Sequence, residues 1–370
     1  MTFQNIHLLY LQETPKEGAD TIEKVIVVMP VRASPAILMK PEITIVVPMF
    51  NARKTAEKCL ISLLRQSYEN YEIIMVDDCS TDGTYELVKQ LVDQSERIRI
   101  KQTRENLGAA AARNLGIKEA KGEYIAFTDC DCVVDTQWLK RLVDCLVTNR
   151  GEVAGGEVKT PREINFFARS LGTLHKPAPK LISKDEAEDI PTCNAIFKKS
   201  LLARMNYFDE AFKFCGGEDT DLCARIKSKK IPIHYAPEAI LWHYHKNGFI
   251  SFIRWRFNSG IGLSRFARKH FFESKFSYNL VNLLLLPGLF FLALACLLFM
   301  PILLVAILGV VYLVNLAKSC LKNYQEFKFS EIGFGVLLNW LLRVITSLGF
   351  LYGMMHFHRD LLEPEKQRMS

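Results

Sequence analysis

The chain lacks most of the features that would settle its class at a glance. Its ten cysteines contain no pair at the spacing of a zinc clip: Cys130 and Cys132 are too close, and Cys59, Cys79, Cys193 and Cys215 are scattered. Free thiols in a motif-rich segment argue against a disulfide framework and fit a reducing compartment. No charged start followed by a cleavable apolar core opens the sequence. Residues 1–41, with the short apolar piece Val25–Pro30, therefore read as an N-terminal extension without an assigned role. No long basic run accompanies the formal charge of +7, so no nucleic-acid partner is expected. An early glycine-rich phosphate loop is also missing. The last absence is charge itself, of which there is none from Leu280 to Ala317.

That uncharged run concentrates the apolar excess of a chain that is 49% hydrophobic. As one helix it would reach roughly 57 Å, against a hydrocarbon thickness of about 30 Å, so it must break, and Pro287 and Pro301 offer the places. A further apolar stretch, Ile332–Met355, carries Asn339 and Arg343 and either spans or lies in the interface. Lys318, Lys322 and Lys328 on one side, and Arg254, Arg256, Arg265, Arg268 and Lys269 on the other, favour the cytoplasmic face. The sequence thus predicts membrane segments, spanning or re-entrant, over residues 280–370, with the catalytic part on the cytoplasmic face. Residues 249–279 mix arginines with Trp255 and phenylalanines. They read as an amphipathic membrane-surface element, or else as a helix packed on the preceding domain.

Residues 42–248 have a different rhythm. Ile43–Pro48, Ile73–Val76, Ile98–Gln102 and Tyr124–Phe127 are short buried strands, separated by helical patterns such as Ala109–Ala120 and followed by Gln137–Val147. Repeated strand–helix units predict an α/β fold with a mostly parallel sheet and helices on both faces. Ligands of such sheets sit beyond the carboxyl ends of the strands, where Asn51, Asp78, Asn106 and Asp131 all fall. Past Gly151 the pattern becomes mixed, with Thr192–Phe197 as a buried strand, Thr220–Lys229 as a helix and Ile231–Ala236 as a strand.

The chemistry-bearing residues lie at these ends. Asp129 and Asp131 are one residue apart, so an extended chain aims both at one point, suited to a divalent cation shared with substrate phosphates or else to two solvated acids. Asp78 sits in a loop of turn formers and either accepts from a nucleobase imide or serves turn chemistry. Asn106 to Asn114 is a helix start of small residues carrying Arg113, a charge one turn inside that requires a partner. Glu218 and Asp219 open a helix whose dipole lowers an acid's pKa, and Asp221 faces away from them. His243 and His245 share a face after Trp242 and either complete a metal shell or lie at an interface.

Together these ordered motifs resemble family 2 glycosyltransferases, whose nucleotide-binding half has the GT-A fold, over roughly Glu42 to Phe272. Val46 to Asn51 resembles the opening strand, Val76 to Thr84 the base-binding loop, Asp129-Cys130-Asp131 the metal-binding acid pair, Cys193-Asn194-Ala195 the acceptor-side strand and Gly217-Glu218-Asp219 the segment with the catalytic base. Arg254 to Gly262 resembles the arginine- and glycine-containing stretch that follows. The resemblance implies inverting transfer of a sugar from a nucleoside diphosphate donor to a lipid-linked or polysaccharide acceptor at a membrane. Asp219, with Glu218 beside it, would act as base, and Mn2+ or Mg2+ would be held by Asp131 with His243 or His245. Pro48, Phe50, Asn51, Asp78, Asn106, Gly108, Arg113 and Asp129 would line the donor, and Asn194 and Trp242 the acceptor. The cysteines that flank and divide the acid pair depart from the family's usual residues. Alternatives are a polysaccharide synthase, for which the apolar segments are few, and an inactive scaffold of the same fold.

Overall fold

The computed structural model describes residues 6–15, 22–31, 42–92, 95–161, 178–213, 216–244, 249–270, 311–315, 317–318 and 343–352. In the N-terminal extension, β1 (Ile6–Pro15) and β2 (Ile22–Val31) pair antiparallel, Ile6 opposite Val31, as a two-stranded sheet of their own.

The main sheet begins as the apolar periodicity predicts. β3 (Ile43–Met49), β4 (Tyr71–Asp77), β5 (Ile98–Gln102) and β6 (Tyr124–Phe127) are parallel, connected through α1 (Ala56–Leu64), α2 (Thr84–Val92) and α3 (Ala109–Glu119). Alternate residues feed two cores. Ile43, Ile45 and Val47 pack with Cys59, Leu60 and Leu63 of α1 on one face, while Val46, Ile74 and Val76 meet Ala110, Ala112 and Ile117 of α3 on the other. Burial on both faces is why these strands read as continuous apolar runs instead of alternating ones.

The second half is not parallel throughout, which corrects the expectation of a mostly parallel sheet. It contains β7 (Cys132–Val134), α4 (Trp138–Asn149), β8 (Val153–Lys159), β9 (Lys180–Leu181), β10 (Glu186–Asp189), β11 (Ala195–Lys198), α5 (Lys199–Arg204), α6 (Glu218–Ser228), β12 (Ile233–His243) and α7 (Phe249–Lys269). The order is β5-β4-β3-β6-β11-β8-β12-β10-β9, with β7 paired to β12 off this path. β11 enters between β6 and β8 antiparallel to both. Apolar periodicity locates a strand but carries no sign of its direction, so this reversal was invisible to it. β12 also runs further than the sequence pattern indicated, and its extension takes Trp242 and His243 into the sheet.

Helix α7 packs on this domain. Phe212, Phe266, Ala267 and Phe350 form a small core joining the loop before α6, α7 and the helical segment at 343–352. The two helices cross where neither has a side chain: a Cβ on Gly260 would fall 2.0 Å from the Thr346 carbonyl oxygen, and one on Gly349 would fall 2.0 Å from that of Phe257. At its far end α7 is tied down by charge, with Lys269 Nζ 2.9 Å from both Asp209 Oδ2 and Asp221 Oδ1, and His270 Nε2 2.9 Å from Asp221 Oδ1.

These observations correct the membrane placement of the chain with its catalytic domain on the cytoplasmic face. Among the described residues no helix is long and apolar enough to cross a membrane. Phe266 and Ala267 of α7, with Leu263 against them, face protein partners, and the basic residues of α7 are interspersed along it, which prevents an uninterrupted apolar span. The run Leu280–Ala317 lies outside the described residues apart from 311–315 and 317, as does most of Ile332–Met355.

Candidate active site

The loops leaving β3 and β4 are laced into one unit. Asn51, at φ +50°, donates its backbone N–H to Ser80 Oγ at 2.9 Å, and its side-chain Oδ1 accepts from the Thr81 N–H at 2.8 Å. Ala52 N–H reaches Thr84 Oγ1 at 2.8 Å, and Asp78 N–H reaches the Met49 carbonyl at 2.8 Å. Pro48 is buried within β3 beside this turn, whereas Phe50 is 48% exposed at its rim.

Asp78 ties this unit to α3. Its Oδ1 accepts from Thr103 Oγ1 and Leu107 N–H, both at 2.9 Å, and its Oδ2 accepts from Gly108 N–H at 2.7 Å. The carboxylate thus serves donors that the helix start leaves open, one of the two roles its loop suggested. A nucleobase at this point would share oxygens already engaged. Asn106 is exposed beyond it, and Gly108 is buried at φ +93°, where a Cβ would fall 2.5 Å from the Lys213 carbonyl oxygen. Glycine is required there by conformation and by space alike.

Arg113 projects from α3 beneath the site and is 3% exposed. Its Nη2 donates to Asp129 Oδ1 at 3.0 Å and its Nη1 to Glu218 Oε1 at 3.1 Å. Burial disfavours its charge, but Asp129 and then Glu218 outweigh that, so the guanidinium stays protonated. The family resemblance implies that this arginine lines the donor. In the structure its terminal nitrogens join two carboxylates from distant parts of the chain. Glu218 is likewise occupied on both sides, since its Oε2 accepts from Gly216 N–H at 3.0 Å. Glu218 thereby braces the start of α6 beside Asp219.

Asp219 is the next residue of α6, which follows Gly217 at φ +99°. Its carboxyl is pushed up to about 8, first by burial and then by the charges of Glu218 and Asp189, while Arg113 and the Thr220 N–H pull the other way. The helix dipole was expected to lower this pKa; desolvation and two like charges outweigh it. Asp189, which sequence reasoning missed, closes β10. Its Oδ2 accepts from Thr220 Oγ1 at 3.0 Å, and its Oδ1 is buried without a hydrogen-bond partner among the described residues. The only signal was an acid ending a short polar run before Ile190-Pro191, which resembles any surface turn. Asp221 does face away, toward α7.

The acid pair divides its work. Asp129 turns to Arg113, while Asp131 turns to β12, where Tyr244 N–H donates to its carbonyl at 2.9 Å. The β7–β12 register sets His243 opposite Cys132 and leaves His243 Nε2 3.5 Å from Asp131 Oδ1. A carboxylate oxygen and an imidazole nitrogen at that separation suit two ligands of one divalent cation, and both side chains are partly open to solvent, 30% and 16% exposed. His245 lies outside the described residues. Trp242 is half-buried in β12 between Val133 and Lys159. Asn194 is fully buried: its Oδ1 accepts from Trp138 Nε1 at 2.7 Å, and its Nδ2 donates to the carbonyls of Glu157 and Ala239, each at 2.9 Å. It pins the 3-10 turn before β11 to β8 and β12, so its polar atoms are committed within the core and not displayed on the acceptor side that the resemblance implies.

The chain is similar to known glycosyltransferases. The model of glycosyl transferase family 2 matches residues 44–205, and that of the N-terminal domain of galactosyltransferase matches residues 172–246. Glycosyltransferase AglE of Haloferax volcanii is 34% identical over 209 residues, covering 55% of this chain and 67% of AglE. An uncharacterized glycosyltransferase of Haemophilus influenzae is 32% identical over 158 residues, covering 39% of this chain and 63% of the relative. Among solved structures, mannosyltransferase PcManGT from Pyrobaculum calidifontis, in complex with GDP-Man and Mn2+, has the same fold. The TM-score is 0.62 at 18% identity, with 87% of this chain and 89% of that one covered.

Proposed function

Since the chain belongs to glycosyl transferase family 2, we propose that it transfers a hexose from a nucleoside diphosphate sugar to an acceptor hydroxyl with inversion, and that Asp219 is the base. The observation that carries this reading is the Arg113 bridge. It couples Asp129, at the end of the strand that leads into the cation corner, to Glu218, the residue preceding Asp219. One buried cation thereby fixes the donor-side acid relative to the acceptor-side acid, as an in-line displacement between two bound substrates requires.

Asp219 in its ionised form would accept the acceptor hydroxyl proton as that oxygen attacks the anomeric carbon. Burial beside Glu218 and Asp189 makes it a stronger base than an ordinary carboxylate. Phe50 would offer a face to the nucleobase, and Asp78 would share its carboxylate with the base while holding the α3 start against the loop. Asp129 would meet the donor ribose on the side away from Arg113. Asp131 and His243 would hold a divalent cation, which when bound supplies positive charge to the departing diphosphate. The related fold that carries GDP-Man and Mn2+ is consistent with that pairing.

The test is a donor screen. Purified protein with Mn2+ is incubated with UDP- and GDP-sugars in the presence of a mixed glycan and lipid extract, and nucleoside diphosphate release is followed. The reading expects one donor class to be turned over with acceptor-dependent release; binding of nucleotide sugars without turnover of any would overturn it in favour of a scaffold.

A further inference from the structure

Sequence reasoning treated Cys132 only as a thiol adjoining the acid pair. The structure gives it a place in the cation corner. Cys132 and His243 are cross-strand partners in the β7–β12 ladder, so both side chains leave the sheet on one face. Cys132 Sγ lies 3.8 Å from Asp131 Oδ1, the same oxygen that lies 3.5 Å from His243 Nε2, and the three ligand atoms are all within 4.8 Å of one another. Tetrahedral coordination at the usual metal–sulphur, metal–nitrogen and metal–oxygen lengths needs ligand atoms roughly 3.4–3.6 Å apart. Both measured edges are close to that before any ion draws the side chains inward.

We propose that Cys132 is a third protein ligand of the cation site, so that Asp131, Cys132 and His243 form an oxygen–sulphur–nitrogen set favouring thiophilic divalent ions over manganese and magnesium. The inference rests on the cation reading of Asp131 and His243 and extends it to metal identity. Hard ions prefer oxygen, whereas a thiolate selects zinc, cobalt and cadmium. Three protein ligands leave a fourth position open, the arrangement of zinc sites that admit a substrate oxygen. Cys132 is 1% exposed, so the ion enters from the Asp131 and His243 side. On binding, the thiol gives its proton to solvent as the sulphur–metal bond forms, and no redox step is involved.

The experiment is Co2+ titration of the full chain, read by absorbance and by X-ray absorption at the cobalt edge. The proposal expects a near-ultraviolet thiolate-to-cobalt charge-transfer band and a cobalt–sulphur scattering path in the wild type. Cys132→Ser should abolish both and weaken Co2+ and Zn2+ binding by at least about tenfold, while leaving Mn2+ binding within a factor of about three. Cys193→Ser, which removes another buried thiol, should keep the band. Cobalt bound without sulphur scattering in the wild type would overturn the role of Cys132 and leave the cation reading standing. Failure of both Co2+ and Mn2+ to bind would overturn the cation reading itself. The wild-type scattering path decides the matter even if Cys132→Ser fails to fold.

Discussion

Asp219 is a carboxyl pushed from an ordinary value of 3.8 to about 8, and this has two opposite consequences. As the proposed base it would work only when ionised, so kcat/KM, which reports the free enzyme, should rise with pH through about 8. Asp189→Asn, by removing one negative neighbour, should move that limb to lower pH. For stability the sign reverses. The folded state holds its proton to higher pH than the unfolded state, so this group's contribution is fully present below 3.8 and is lost as pH rises toward about 8. Asp219→Asn is therefore expected to melt higher than the wild type above pH 8, by thermal unfolding, while losing turnover. A wild type whose acid limb lies in the ordinary carboxylate range would contradict the first half. Arg113 carries a different prediction: Arg113→Met leaves Asp129 and Glu218 without their shared cation and should cost about 3–5 kcal/mol in denaturant unfolding. Arg113→Lys should not restore it, because a single ammonium lacks the rigid planar fork whose two separate nitrogens reach Asp129 and Glu218.

Single elements show what the sequence conveys and what it withholds. β3 to β6 and their helices were legible because buried parallel strands leave continuous apolar runs and the helices between them periodic ones, and the acids at their ends were legible because strand ends are where such sheets bind ligands. Asn194 was not. An asparagine before a buried strand looks the same whether it meets a ligand or the core, and only the reversal of β11 sets it against Trp138, Glu157 and Ala239. Asn194→Ala should therefore lower stability by about 1–3 kcal/mol for each buried partner it orphans, with the acceptor KM unchanged in protein that remains folded. A selective rise in that KM would return Asn194 to the acceptor side. Asp189 and the Cys132–His243 pairing were hidden for a related reason. Both depend on strand register between segments far apart in sequence, and neither leaves a local pattern.

Taken whole, the molecule docks helices α7 and 343–352 against α6 and the loop before it through the Phe212–Phe266–Phe350 cluster and the Asp209 and Asp221 ion pairs. The apolar composition that suggested a membrane placement supplies, in part, this packing. Gly260→Val would push a side chain into the Thr346 backbone. It should lower the melting temperature, and limited proteolysis should then cut near 343–352 before the sheet. Because Asp221 holds α7 and lies two residues from Asp219, the same helix start carries both the anchor and the proposed base. The proposed base has a direct test. Acceptor-dependent release of nucleoside diphosphate, measured at saturating donor for wild type and Asp219→Asn, should fall by roughly 10²–10⁴-fold in the variant; equal rates would contradict it.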